Sequence, residues 1–154
     1  TYVQSALEDY RCGDAPFDIV ISSLTFHYIA SIEEIYDNVR RCLRKGGYFV
    51  FSVEHPVYTA EGSQQWVIDE AGRLLHWPVD RYFEEGIRRA VFLETPVTKY
   101  HRTLETYLNG LINCGFRITG IVEPSPNEEI IAQIEGMAEE LRRPMMLIIS
   151  AVIE

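Results

Sequence analysis

Four histidines are the side chains best suited to move a proton near neutral pH: His27, His55, His76 and His101. Two of them follow apolar runs. His27 lies just after Phe17-Asp18-Ile19-Val20-Ile21, and His55 follows Tyr48-Phe49-Val50-Phe51-Ser52-Val53. With a helical segment between them, these runs read as a βαβ unit, whose right-handed crossover places both strand ends on one edge of a parallel sheet, where open α/β sheets bind ligands. Ser22 and Ser23 end the first strand, and Glu54-His55-Pro56 ends the second. His55 is the preferred general base, because it and Glu54 end a strand together beside a proline that fixes the exit. His101, read as opening a helix beside Arg102, is the second candidate. A lone histidine is more often structural. Arg102 could grip an anionic substrate by a forked contact or pair with one of many carboxylates.

The elements that would position these groups are marked by periodicity and punctuation. Residues 2–7 read as a short strand, and Arg11 to Pro16 as a loop. Phe17–Ile21 is apolar on successive residues, as in a strand covered on both faces. Ser31 and Glu34 form a capping box, and Ile32, Ile35, Tyr36, Val39, Cys42 and Leu43 give a helical stripe that Gly46 closes. The basic cluster Arg40, Arg41, Arg44, Lys45 suits a helix C-terminus better than a phosphate patch. Residues 57–99 lack helical periodicity. There, Gln65–Asp69 and Arg73–Trp77 flank Glu70-Ala71-Gly72 as a hairpin, and an extended segment covers Ile87 to Glu94. This aromatic-rich stretch reads as a lid over an apolar or ring-bearing substrate, with a structural or dimer-forming hairpin, and so a homodimer, as the other reading. A helix from near Thr103 to Gly115, a strand at Phe116–Val122, a helix opened by Ser125-Pro126-Asn127-Glu128 and running to Leu141, and an apolar strand at Met145–Ile153 complete the chain. The order predicts one α/β domain with a mainly parallel sheet sandwiched by helices.

Composition narrows the function. The net charge of -9 argues against nucleic acid as a partner, since phosphate binding needs clustered cations. No apolar run approaches the ~20 residues of a membrane helix. The three cysteines, Cys12, Cys42 and Cys114, are widely spaced with no C-x-x-C pair, which argues against a disulfide or a metal site and fits a reducing cytoplasm.

Taken together, Phe17-Asp18-Ile19-Val20-Ile21-Ser22-Ser23-Leu24, Phe26-His27-Tyr28-Ile29, Leu43-Arg44-Lys45-Gly46-Gly47 before a strand, and Gly115-Phe116 before another resemble a class I S-adenosylmethionine (SAM)-dependent methyltransferase, of the type 11-like small-molecule branch. Glu54-His55-Pro56, Tyr100-His101-Arg102 and Arg143-Pro144-Met145 fit that branch. The resemblance implies a Rossmann-like, mostly parallel sheet with a late antiparallel strand, and SAM as cofactor. It places Ser5, Ala6, Leu7 and Glu8 beside the adenine, Ser22, Ser23 and Leu24 under the methionine moiety, and His27 one turn on. It implies His55 or His101 as base, and Glu54, Tyr100 and Arg102 near a small-molecule acceptor. It also implies that the glycine-rich cofactor loop and the acidic residue ending the second strand lie upstream of Thr1. Two other readings remain: a non-enzymatic methyltransferase-like binding or dimerisation domain, and another Rossmann-type nucleotide-cofactor enzyme.

Overall fold

The computed structural model of the protein describes residues 2–13 and 16–154. Thr1, Asp14 and Ala15, and with them part of the predicted Arg11–Pro16 loop, lie outside the described residues. In chain order the first elements are β1 (Phe17–Ser23), α1 (Ile32–Cys42), β2 (Leu43–Glu54) and α2 (Pro56–Thr59). Two hairpins follow, β3 (Val67–Ile68) with β4 (Leu74–His76) and β5 (Gly86–Phe92) with β6 (Thr95–His101). The rest comprises α3 (Leu104–Asn113), β7 (Phe116–Val122), α4 (Glu128–Gln133) and β8 (Met146–Ile153). The main sheet has the order β1-β2-β8-β7. β1 and β2 are parallel, while β8 runs antiparallel to both β2 and β7. Three strands therefore share one direction and the last strand, inserted centrally, opposes them, as expected.

One face of the sheet carries the core. Ile32, Ile35, Tyr36 and Val39 of α1 and Tyr107 and Leu111 of α3 pack on Phe49, Phe51, Val53, Leu147, Ile149 and Ala151. Each of these strand residues alternates with a neighbour on the other face, as the pleat requires. Burying a Leu or Ile side chain completely contributes about 1.5–3 kcal/mol, so Ile32, Leu111, Leu147 and Ile149 anchor the two layers. Tyr36 donates its hydroxyl proton to the Tyr107 carbonyl at 3.2 Å, so the buried phenol is satisfied. The opposite face is not covered in the same way. Ile19, Ile21 and Tyr48 are exposed there, so the expectation of helices on both faces holds for one face among the described residues.

Several local predictions need correction. Residues 2–7 form no strand. Ser31 occupies the N-cap of α1, but its side chain makes no capping bond, and the helix stops at Cys42 as the chain passes directly into β2. Gly46 does take a left-handed conformation (φ 74°), within an irregularity where the β1–β2 register slips between Phe17 and Ile19. The helix predicted to run to Leu141 is interrupted. α4 is capped by Asn127, not Ser125, and ends at Gln133; Gly136 (φ 85°) then starts a 3-10 turn at Met137–Arg142. Cys12 and Cys42, read as unpaired from their spacing, form a disulfide with Cα atoms 5.5 Å apart, leaving Cys114 free. The loop after Tyr10 returns to the end of α1, a proximity that a separation of 30 residues concealed.

The strand β6 was not predicted because its turn carries no familiar signal. Phe92 pairs with Thr95, so Leu93 and Glu94 alone make the turn, both left-handed at φ 48° and 64°. That geometry favours Asn-Gly, and a side chain larger than Asn in the left-handed region costs roughly 1–2 kcal/mol. Leu93→Asn with Glu94→Gly is expected to raise the unfolding free energy by about 1–2 kcal/mol, read by urea denaturation. No gain would mean that this turn is relaxed by contacts of Leu93 or Glu94.

Candidate active site

The parallel register brings the ends of β1 and β2 together, with Ser22 opposite Phe51 and Ser23 opposite Ser52. Beyond Ser23 the chain turns sharply at Leu24, a left-handed non-glycine residue (φ 50°). Its N–H donates to the Ser52 carbonyl at 2.9 Å and approaches the Ser52 hydroxyl at 3.1 Å. A 3-10 turn at Phe26–Tyr28 then swings His27 back, and its Nδ1 accepts the Glu54 N–H at 3.2 Å. An acceptor nitrogen carries no proton, so the neutral ring holds its proton on Nε2. Burial is the main cause that lowers the His27 pKa to about 4; Lys99 and Arg102 push the same way and Glu54 opposes them. At neutral pH His27 is therefore an uncharged donor through Nε2.

The two histidines expected to act as bases are committed elsewhere. His55 caps α2, its Nδ1 accepting the Val57 N–H at 3.0 Å, while Nε2 lies 2.9 Å from the Glu123 carboxylate. Burial holds its pKa below the ordinary value, against the raising effect of Glu123. His101 ends β6 and does not open a helix; α3 starts at Leu104, capped by Thr103. The fully buried His101 ring lies 2.8 Å through Nε2 from the Tyr82 carbonyl and 2.7 Å through Nδ1 from the Thr59 hydroxyl. The carbonyl can only accept, so Nε2–H donates and Nδ1 receives the hydroxyl proton. Burial lowers this pKa as well. Both ring nitrogens of His101 are occupied, whereas His55 has only Nδ1 bonded; its buried Nε2 lies near Glu123 but makes no hydrogen bond among the described residues.

The expected acceptor-side residues divide similarly. Arg102 is buried and donates to the carbonyls of Phe26, Ile29 and Ala30, fastening the turn after β1 and leaving no fork for a substrate anion. Glu54 is bonded through one oxygen to Lys99 at 2.6 Å and through the other to Gln64 at 2.7 Å. Since Lys99 reaches Glu54, its strand neighbour Tyr100 faces the other way. Tyr100 instead borders a shallow pocket of about 270 Å3 with Ala30, Glu33 and Glu85. Ser22, Ser23, Leu24 and His27 are thus gathered against Ser52 and Glu54. Ser5, Ala6, Leu7 and Glu8 belong to a separate turn, closed by the Ala6 carbonyl accepting from Asp9 and Tyr10, which packs onto the core through Leu7.

Lys99 and Gln64 were missed, although β6 holds a usable signal. Val97, Lys99 and His101 alternate on its inward side, so a lysine stands where an apolar residue is normal. Three aromatic residues of the insertion also meet a charged partner. Tyr58, Trp66 and Trp77 surround the Arg143 guanidinium at 4.7, 5.5 and 4.3 Å, and Arg143 is held in turn by Glu140. Arg142 donates to the Leu74 and Leu75 carbonyls. The first hairpin is therefore fastened to the 3-10 turn before β8, and its rings face an arginine. Among the described residues no group of three or more His, Cys, Asp or Glu could hold a metal ion, and no helix is long and apolar enough to cross a membrane.

Comparison with known proteins agrees with this fold. The methyltransferase domain family matches residues 1–51. A protein from Listeria monocytogenes, assigned as a SAM-dependent methyltransferase, is 48% identical over all of this chain and 69% of its own, with a TM-score of 0.93. A SAM-dependent methyltransferase from Mesorhizobium loti is 41% identical over 99% and 69% of the two chains, with a TM-score of 0.89. An uncharacterised protein from Haemophilus influenzae is 31% identical over 72% of this chain, which spans 44% of that curated relative's length. The chain belongs to the class I SAM-dependent methyltransferase family, with its Rossmann-like fold.

Proposed function

We propose that the protein carrying this chain transfers the methyl group of SAM to an oxygen or nitrogen of a small molecule. The observation that carries this reading is the pairing of two parallel strand ends, Ser22 to His27 against Ser52 to Glu54, in a chain of this family. Bound SAM would supply an electrophilic methyl group whose bonding pair stays on sulfur, and the acceptor would give its proton to water. Alignment supplies much of such a rate enhancement, so no histidine base at 55 or 101 is required. In this reading Ser22, Ser23, Leu24 and His27 hold the methionine end of the cofactor, and Ser5 to Glu8 hold the adenine end. The acceptor's apolar part takes the pocket of about 350 Å3 lined by Ile130, Met137, Met145 and Met146; Met145 accepts the His55 N–H. The compartment is not part of the reading. Neither self-association nor a nucleic-acid partner is part of it.

Calorimetric titration of the protein at its natural length with S-adenosylhomocysteine tests the proposal. Saturable one-to-one binding is expected. An absence of heat and of any thermal stabilisation at millimolar ligand would refute it.

A further inference from the structure

Lys99 is 1% exposed, yet it carries a charge. Its ammonium lies 2.6 Å from one Glu54 oxygen and 2.8 Å from the Gln64 carbonyl oxygen, and the Gln64 amide donates to the other Glu54 oxygen at 2.7 Å. Three side chains from β6, the end of β2 and the loop before β3 thus close a ring. The Tyr28 and Phe92 rings lie 5.8 and 5.9 Å from the same ammonium. Desolvation offsets most of what a buried ion pair gains, so stability alone is a poor account of the ring. Its geometric effect is definite: it fixes Glu54. The same residue gives its backbone N–H to His27. Lys99 and His27 are therefore linked through one residue, by its side chain and its main chain.

The geometry points to Lys99 as a positioning residue that, through Glu54, holds His27 in the tautomer offering an N–H to the cofactor edge. This inference rests on the reading of the β1–β2 edge as the cofactor site. The charged groups facing His27 are Glu54, Lys99 and Arg102, and the Tyr28 ring stacks obliquely on it at 4.4 Å. Arg102 is held by three carbonyls, which leaves the Lys99–Glu54 balance as the adjustable part. Removing Lys99 alone leaves a half-buried, unpaired carboxylate near His27, which favours the imidazolium and loosens the fixed tautomer.

The test uses the protein at natural length with 15N-labelled histidine, and three variants: Lys99→Met, Lys99→Arg and the double variant Glu54→Gln, Lys99→Met. Wild type should show His27 with its proton on Nε2 and an acid titration midpoint. Lys99→Met should raise that midpoint, mix the ring signals and weaken S-adenosylhomocysteine binding about tenfold. Lys99→Arg, and the double variant that removes both charges, should keep the His27 signature. If Lys99→Met melts lower but keeps the His27 signals and ligand affinity, Lys99 is only packing and the inference fails. If that variant does not fold, Lys99→Gln, which keeps a donor for Glu54 without the charge, decides: a raised His27 midpoint with mixed ring signals supports the inference, and an unchanged His27 signature overturns it. Should wild type fail to bind the ligand, the functional reading falls, while the His27 signals still judge Lys99.

Discussion

Arg102→Met should lower the unfolding free energy by about 2–4 kcal/mol, the cost of leaving buried carbonyls without their donor. The guanidinium donates to the Phe26, Ile29 and Ala30 carbonyls, at the end of a 3-10 turn where unpaired carbonyls collect. Methionine fills much of the space but takes the donor from the Ile29 and Ala30 carbonyls, while the Phe26 carbonyl keeps the Ile29 N–H; each lost bond to a charged group costs about 1.5–3 kcal/mol before relaxation and water recover part of it. Lysine keeps the charge without the fork, so Arg102→Lys should fall between wild type and Met. Urea denaturation at pH 7.5 checks both. The effect should extend to the site, because the same turn carries His27: ligand affinity should fall in any Arg102→Met protein that remains folded. A loss below 1 kcal/mol would show that the turn after β1 holds without its clamp.

The second large effect is acid lability above the carboxylate range. His27, His55 and His101 are all buried with pKa values below the ordinary 6.5, His27 at about 4. Between these folded values and 6.5 the unfolded chain binds more protons than the folded one, so stability increases with pH through this window. The contribution is complete above about pH 6.5 and is lost as the pH falls toward 4. His27 alone accounts for about 3 kcal/mol at 1.36 kcal/mol per unit. His55 and His101 add with the same sign. Glu85, whose hydrogen bonds hold its pKa below 4.5, contributes a loss only at still lower pH. Denaturant midpoints measured from pH 7.5 to 4.5 should therefore fall steeply, and His27→Gln should flatten the slope. Equal stability at pH 7 and 5 would mean that these rings are protonated in the fold.

Much of this architecture was legible in the chain because it rests on burial patterns. The strand at Phe17, the α1 stripe and the apolar run at Met146–Ile153 follow directly from which faces must leave water. What escaped the sequence reading was polar and non-local. His101 looked like a helix start beside Arg102, yet it is a strand residue whose two nitrogens are spent on Thr59 and Tyr82, more than 15 residues away in sequence. Arg102 offered a forked cation for an anion and instead binds carbonyls over 70 residues upstream. The β5–β6 hairpin was hidden because Leu93-Glu94 makes a tight turn without glycine or asparagine. Ser22 and Ser23 do end β1 beside Ser52, as the apolar run before them implied, because a strand covered on its core face stops where small polar residues begin.

That edge is the central claim, and hydrogen–deuterium exchange with and without S-adenosylhomocysteine tests it most directly. The account predicts slower exchange on ligand addition for the amides of 22–27 and 52–55, a smaller effect at 5–8, and none in the β3–β4 hairpin. Protection confined to that hairpin, or binding that leaves 22–27 unchanged, would contradict it.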